Sequence, residues 1–429
     1  MIQIYESEFV MRSILFLSVL IGCGCGQSRI GFLDFIRPLS IRREKDPNGK
    51  LPVLDFMGLV TRHGYPAEEH QVTTSDSYRL RLHRIPGSPK SPPGPGKPVV
   101  LIHHGILCTS DDFVLAGPDR DLGYILADAG YDVWFANVRG NAYSRSHVHL
   151  SPDHDPEFWQ FSMHEMALYD ASRTIDYILG QTGQQSLIIV AHSMGTSISM
   201  ILLSTRPEYN AKVRLAVFMG SVGFWKRPRN VMQFLKDYGK FLLSLARVLR
   251  LREFLPQTLA TGELMSGSCR DNSPFQHLCI SITEYLSGYD PDLLDTKLLA
   301  EAYNYFPAGV SAQTLSHFYQ NIKAGRMQMY DYGLMGNVQR YGQTTPPVYS
   351  LENIDTPVVL IYGNGDVIAS PEDSLDLVTR LRFSRVEMVP HDSFSHFDFM
   401  WAKDIKRLLQ DRIMQIIETA DKYGSYSVL

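Results

Sequence analysis

Three unbroken apolar runs, PVVLIHHG (98–105), YDVWFANVRG (131–140) and SLIIVAHS (186–193), constrain the fold more than any other feature of this chain. A strand with one wet face alternates apolar and polar residues, so a strand without that alternation must be covered on both faces. Between the runs lie stretches of helical pattern, DLGYILADAG and MALYDASRTIDYIL. Strand, helix and strand in this order predict an α/β fold on a mostly parallel sheet. A fourth run, LAVFMGS, follows, and the pattern resumes at TPVVLIYGNGD (356–366) and RVEMV. Upstream, HQVTTSDSYRLRLHRIP alternates on either side of Ser-Asp-Ser and reads as a hairpin of two half-exposed strands.

From about Gly223 to Ser350 the alternation of strand and helix stops. This stretch, rich in Leu, Phe, Met and Tyr, predicts a mostly helical cap inserted into the core. Near its start, Phe241, Leu242, Leu245, Val248 and Leu249 form an apolar stripe, accompanied by Arg247, Arg250 and Arg252. Such a helix most often packs on the core; the alternative is to lie on a lipid interface. The expected division is therefore a core over 58–222 and 351–429 with a cap over 223–350.

A cation at Arg12, the apolar SILFLSVLIG and small residues near Gly26 predict a signal peptide over 1–26, followed by an extension over 27–57. No segment approaches the roughly 20 apolar residues of a membrane helix. With a formal net charge of -4 and no basic run interleaved with aromatics, the chain offers no electrostatic footprint for nucleic acid. Export implies an oxidising compartment. Of the cysteines outside the leader, Cys269 and Cys279 are the expected disulfide around a short polar loop, which leaves Cys108 as a buried apolar filler. His164-Glu165 lacks the second histidine of a zinc-protease helix, and no metal is expected.

The chemistry centres on Ala191-His-Ser-Met-Gly195, a variant of the G-x-S-x-G turn that lifts a serine hydroxyl clear of a strand end. A serine hydroxyl is a weak nucleophile, so it needs a base, a carboxylate to orient that base, and donors for the oxyanion. In this fold class the order is Ser, acid, His. Asp366 ends a predicted buried strand and is the expected acid, with Asp373 and Asp376 as rivals expected to face solvent from the next helix. Only His391 and His396 follow Asp366. The expected oxyanion donors are the backbone N–H groups of Met194 and of Ile106, after His104-Gly105. Taken alone, Gly105 reads better as an ordinary strand-ending glycine than as the residue that turns an amide towards the serine.

The blocks HHGIL, LADAGYDVWFANVRGN, SPDHDPEFWQFSMHEMALYD, AHSMGTS, FPAGVSAQTLSHFYQ and SHFDFMW resemble, in order, the acid lipase family that includes gastric and lysosomal acid lipases. The likeness runs from about Gly58 to Trp401. It implies an α/β-hydrolase core, a cap with a mobile lid, and cofactor-free hydrolysis of neutral lipid esters at a lipid–water interface by a secreted or lysosomal protein. Carried over by position, Ser193 is the nucleophile, Asp366 the acid and His396 the base. The chain departs from the family pattern at Ala191 and Met194, where Gly and Gln are usual, and at Ser395, Ser287 and Ser370, where Asn, Cys and Asp are usual. Rival readings are a carboxylesterase of small soluble esters and a lipid carrier without turnover.

Overall fold

The computed structural model describes residues 53–429; the expected leader over 1–26 and residues 27–52 lie outside the described residues. Eight strands form the main sheet: β1 (Glu68–Thr73), β2 (Arg79–Ile85), β3 (Val99–His103), β4 (Asp132–Phe135), β5 (Leu187–His192), β6 (Val213–Met219), β7 (Val358–Tyr362) and β8 (Ser384–Met388). Their order is β1-β2-β4-β3-β5-β6-β7-β8. β2 is antiparallel to β1 and β4, and all other neighbours are parallel.

Each solid apolar run is a central strand because both of its faces meet apolar layers. Val100, Ile102, Ile188 and Val190 point into one core, while Val99, Leu101, Ile189 and Ala191 point into the other. The alternating hairpin supplies edge strand β1 and its neighbour β2, where one face is wet. Its Ser-Asp-Ser break is tied to the end of β4 by a buried cation. Arg139, 1% exposed, donates from Nε to Asp170 Oδ1 at 2.8 Å and from its terminal nitrogens to Asp76 at the hairpin turn.

Between β6 and β7 the described chain forms six α-helices, beginning with Asn230–Val248, and two two-residue strands that pair antiparallel, Glu253–Phe254 with Val310–Ser311. Cys269 and Cys279 form the expected disulfide, with Cα atoms 5.4 Å apart, and Cys108 is free and buried. The Asn230–Val248 helix corrects the commoner expectation for its stripe. Val231, Leu235 and Leu243 turn inward and line a cavity, but Phe241 is 67% exposed, Val248 78% and Leu249 58%. The apolar arc is wider than the face the fold can cover. Among the described residues, no helix is long and apolar enough to cross a membrane.

Candidate active site

Ser193 directly follows β5 with φ 51° and ψ −121°, a conformation that costs an L-residue about 1–3 kcal/mol. Neighbouring bonds hold it there. Its N–H donates to Met219 O on β6 at 3.1 Å, and its carbonyl accepts from Thr196 N at 2.9 Å and Thr196 Oγ1 at 2.7 Å. The helix that follows, Met194–Thr205, must pass tightly under β3: a Cβ on Gly195 would lie 2.6 Å from His103 O. The glycine after the serine is thus required by space. Ala191 is different, because its methyl is fully buried in the core under the sheet rather than in the turn. Ala191→Gly is expected to cost about 1 kcal/mol of stability, with activity changed less than about threefold; denaturant unfolding and ester hydrolysis check both.

The structure brings Ser193, His396 and Asp366 together although they lie on three separate strand ends. His396 Nε2 is 2.8 Å from Ser193 Oγ, and its Nδ1 is 2.7 Å from Asp366 Oδ2. Asp366 is fully buried, and its other oxygen accepts from the amides of Ile368 and Ala369, both at 2.8 Å. With Oδ1 occupied this way, Oδ2 accepts from Nδ1–H, leaving Nε2 as the acceptor for the serine hydroxyl proton. The other candidate base, His391, joins neither Ser193 nor Asp366; its Nδ1 lies 3.4 Å from Asp290 Oδ2.

Glycines explain how the two loops meet. A Cβ on Gly363 would lie 2.2 Å from Phe394 O, and one on Gly365 would lie 2.2 Å from Ser393 O. The Gly-Asn-Gly-Asp turn therefore lets the backbone before His396 rest directly on it. The expectation that Asp373 faces solvent is overturned: it is 5% exposed, and its Oδ1 accepts from Lys226 N at 3.1 Å. Asp376 is ion-paired to Lys226 and Arg380. Neither approaches His396. Ser370, where the family pattern has an aspartate, caps the Pro371–Val378 helix by accepting from Asp373 N.

At the end of β3, Gly105 lies against the serine: a Cβ there would be 3.1 Å from Ser193 Cβ. Among the described residues, no backbone acceptor takes the amides of Ile106 or Met194. Three residues of this site were not singled out from sequence. His104 Nδ1–H donates to Gly105 O at 2.7 Å while its Nε2 accepts from Val138 N at 3.2 Å, so the ring pins the turn. Burial pushes its pKa down to about 3, which keeps it neutral. His192 Nε2–H donates to His396 O at 3.2 Å and braces the loop of the third side chain. Gly220 presents a bare backbone to the His396–Asp366 pair, since a Cβ would sit 3.2 Å from the ring. The His-His doublet was the one visible hint.

Ser193, His396 and Ile106 open onto a cavity of about 370 Å³ whose walls include Trp225, Leu235, Leu242 and Phe318. The Asn230–Val248 helix forms its roof, and Ser193 is 4% exposed beneath it. Behind the His396 loop sits Asp398, whose Oδ2 accepts from Ser395 N at 2.6 Å. Burial, reinforced by the Asp290 carboxyl, pushes its pKa up from 3.8 to about 7 against the pull of the Ser395 donors. Below about pH 4 the carboxyl is protonated folded or unfolded. Between about 4 and 7 only the folded state holds the proton, so its stabilising contribution is lost as pH rises and then levels off. Asp398→Asn should thus gain stability relative to the parent from pH 4 to 7, by on the order of 3 kcal/mol. Parallel melting curves across that range check it; a constant difference would refute it.

A mostly parallel sheet, a strained serine at the end of a central strand and a histidine–aspartate pair beyond it define an α/β hydrolase. Comparison with known proteins agrees. Residues 98–403 match the alpha/beta hydrolase fold family, and residues 56–117 match a partial alpha/beta-hydrolase lipase region. Lipase 3 of Drosophila melanogaster is 35% identical over 375 residues, covering 86% of this chain and 94% of the relative. Human gastric triacylglycerol lipase is 33% identical over 384 residues, covering 88% and 94%. A soluble variant of monoglyceride lipase from Saccharomyces cerevisiae shares the fold at 15% identity with a TM-score of 0.51, covering 82% of this chain and 95% of that one. The chain belongs to the acid lipase family of α/β hydrolases, the family of gastric triacylglycerol lipase. Its relatives and fold support a hydrolase of the lipase type.

Proposed function

We propose that this protein is a serine lipase that hydrolyses neutral lipid esters, triacylglycerol or cholesteryl ester, through an acyl-enzyme. His396 Nε2 takes the Ser193 proton as Oγ bonds to the ester carbonyl carbon. The carbonyl electrons move to oxygen, where the amides of Ile106 and Met194 donate to it. As the carbonyl reforms, the bond to the alkoxy oxygen breaks and His396 returns the proton to the departing alcohol. Water then repeats the cycle and releases the fatty acid. Asp366 holds the imidazole in the accepting tautomer and stabilises its cation.

The observation that carries this reading is the hydrogen-bonded chain Ser193–His396–Asp366 at 2.8 and 2.7 Å, set in the floor of an apolar cavity. An apolar wall receives an acyl chain and excludes the water that would compete with the serine. The roof helix acts as a lid that must shift for a lipid to reach a serine only 4% exposed. In this reading residues 223–350 are the cap, 58–222 and 351–429 the core, and residues 1–26 the leader of a secreted or lysosomal protein that uses no cofactor.

Release of fatty acid from emulsified triacylglycerol, compared with that from a soluble short-chain ester, tests the proposal. Turnover of the emulsion is the expected result. Turnover of the soluble ester alone would make the protein a carboxylesterase, and turnover of neither would leave a lipid carrier.

A further inference from the structure

The outer face of the Asn230–Val248 helix, turned away from the cavity, is both apolar and basic. Between Lys226 and Arg252 the chain places eight basic residues against one carboxylate, Asp237, although its net charge is -4. Lys226 and Arg229 are engaged with Asp376 and Glu372. Arg227, Lys236, Lys240, Arg247, Arg250 and Arg252 make no ion pair among the described residues. All but the half-buried Lys236 are exposed. They flank an outward apolar row in which Tyr238 is 56% exposed, Phe241 67%, Leu245 44% and Val248 78%.

A stripe of this kind alone would suit any apolar partner. The charge narrows the choice. Six unengaged cations around exposed aromatic and aliphatic side chains match a surface that is apolar below and anionic at its rim. Arginine supplies four of the six, and its planar fork suits phosphate oxygens better than a point charge does. The long stems of Arg and Lys let the apolar row sink below the headgroups while the charges stay at their level.

We propose that the Asn230–Val248 helix and the segment through Arg252 dock on anionic phospholipid surfaces, so that the protein selects a charged lipid interface over a neutral one. The inference rests on the lipase reading only for its purpose, since docking needs no turnover. It adds to that reading a choice of surface: the cavity selects the ester, and the outer face of the lid selects where the ester is met.

The test uses the full chain carrying Ser193→Ala, mixed with vesicles of phosphatidylcholine alone or phosphatidylcholine with phosphatidylglycerol. Partition should be at least about 100-fold tighter on the anionic vesicles and should weaken as salt is raised. Replacing Arg247, Arg250 and Arg252 together by glutamine should cost on the order of 100-fold on anionic vesicles and little on neutral ones. The same three positions changed to lysine should keep most of the selectivity, and equal melting temperatures show that the fold is intact. Equal partition onto both vesicle types, or selectivity that survives the glutamine variant, overturns the proposal. So does binding to vesicles charged with oleate but not with phosphatidylglycerol, or a dimer in solution that shields this face and ignores vesicles. Selective docking by a parent protein that cleaves no ester would leave this proposal standing and remove the lipase reading; ester cleavage without selectivity would do the reverse.

Discussion

Ser193→Ala is expected to lower kcat/KM for any ester substrate by about 10⁴–10⁶ and to abolish labelling by a fluorophosphonate. The expectation rests on the 2.8 Å contact with His396 Nε2, which sets Ser193 Oγ against an aligned base at the cavity floor. The fold should survive the change. Alanine keeps the Cβ, and the strained φ of 51° is held by backbone and Thr196 bonds that the substitution does not touch. A residual rate from oxyanion donors and substrate binding alone is expected. Melting temperature and labelling should be read on the same sample; unchanged labelling with an unchanged fold would remove Ser193 from the chemistry.

Asp366→Asn should be nearly as damaging, by about 10³–10⁴ in kcat, for a reason specific to its surroundings. One carboxylate oxygen already receives two amides, from Ile368 and Ala369, at 2.8 Å. An asparagine must keep its oxygen there, because turning its NH₂ towards two N–H donors would bury three donors with no acceptor. Its NH₂ then faces His396 Nδ1, 2.7 Å from the present Oδ2. That nitrogen must become the acceptor, so the ring proton moves to Nε2, and Nε2 can no longer take the serine proton. The rate should recover partly as pH is raised. Activity within tenfold of the parent would mean that Asp366 does not set the tautomer.

How much of this was legible depended on whether a residue's role is local. The central strands could be read because residues such as Ile188 and Ile189 are apolar on both faces of the pleat, and burial on both faces has no other common cause. Asp366 could be read because strand ends are where such sheets carry their sites. Asp373 misled because the group its carboxylate accepts from, Lys226 N–H, lies 147 positions away, and nothing in the helix around it records that partner. His104, His192 and Gly220 escaped notice for the same reason: each acts on a segment that the fold delivers from elsewhere. The apolar stripe of the Asn230–Val248 helix misled for a different reason. Periodicity marks which helix positions are apolar, and only the width of the site beneath determines how many of them stay covered.

Ser193 and the histidine it leans on are 203 positions apart. A growing polypeptide therefore carries the Ser193 hydroxyl as an ordinary alcohol while those positions are still being added. On the proposed mechanism an unfinished copy stays harmless to the membranes around it, because until His396 has been added there is nothing to take the hydrogen away.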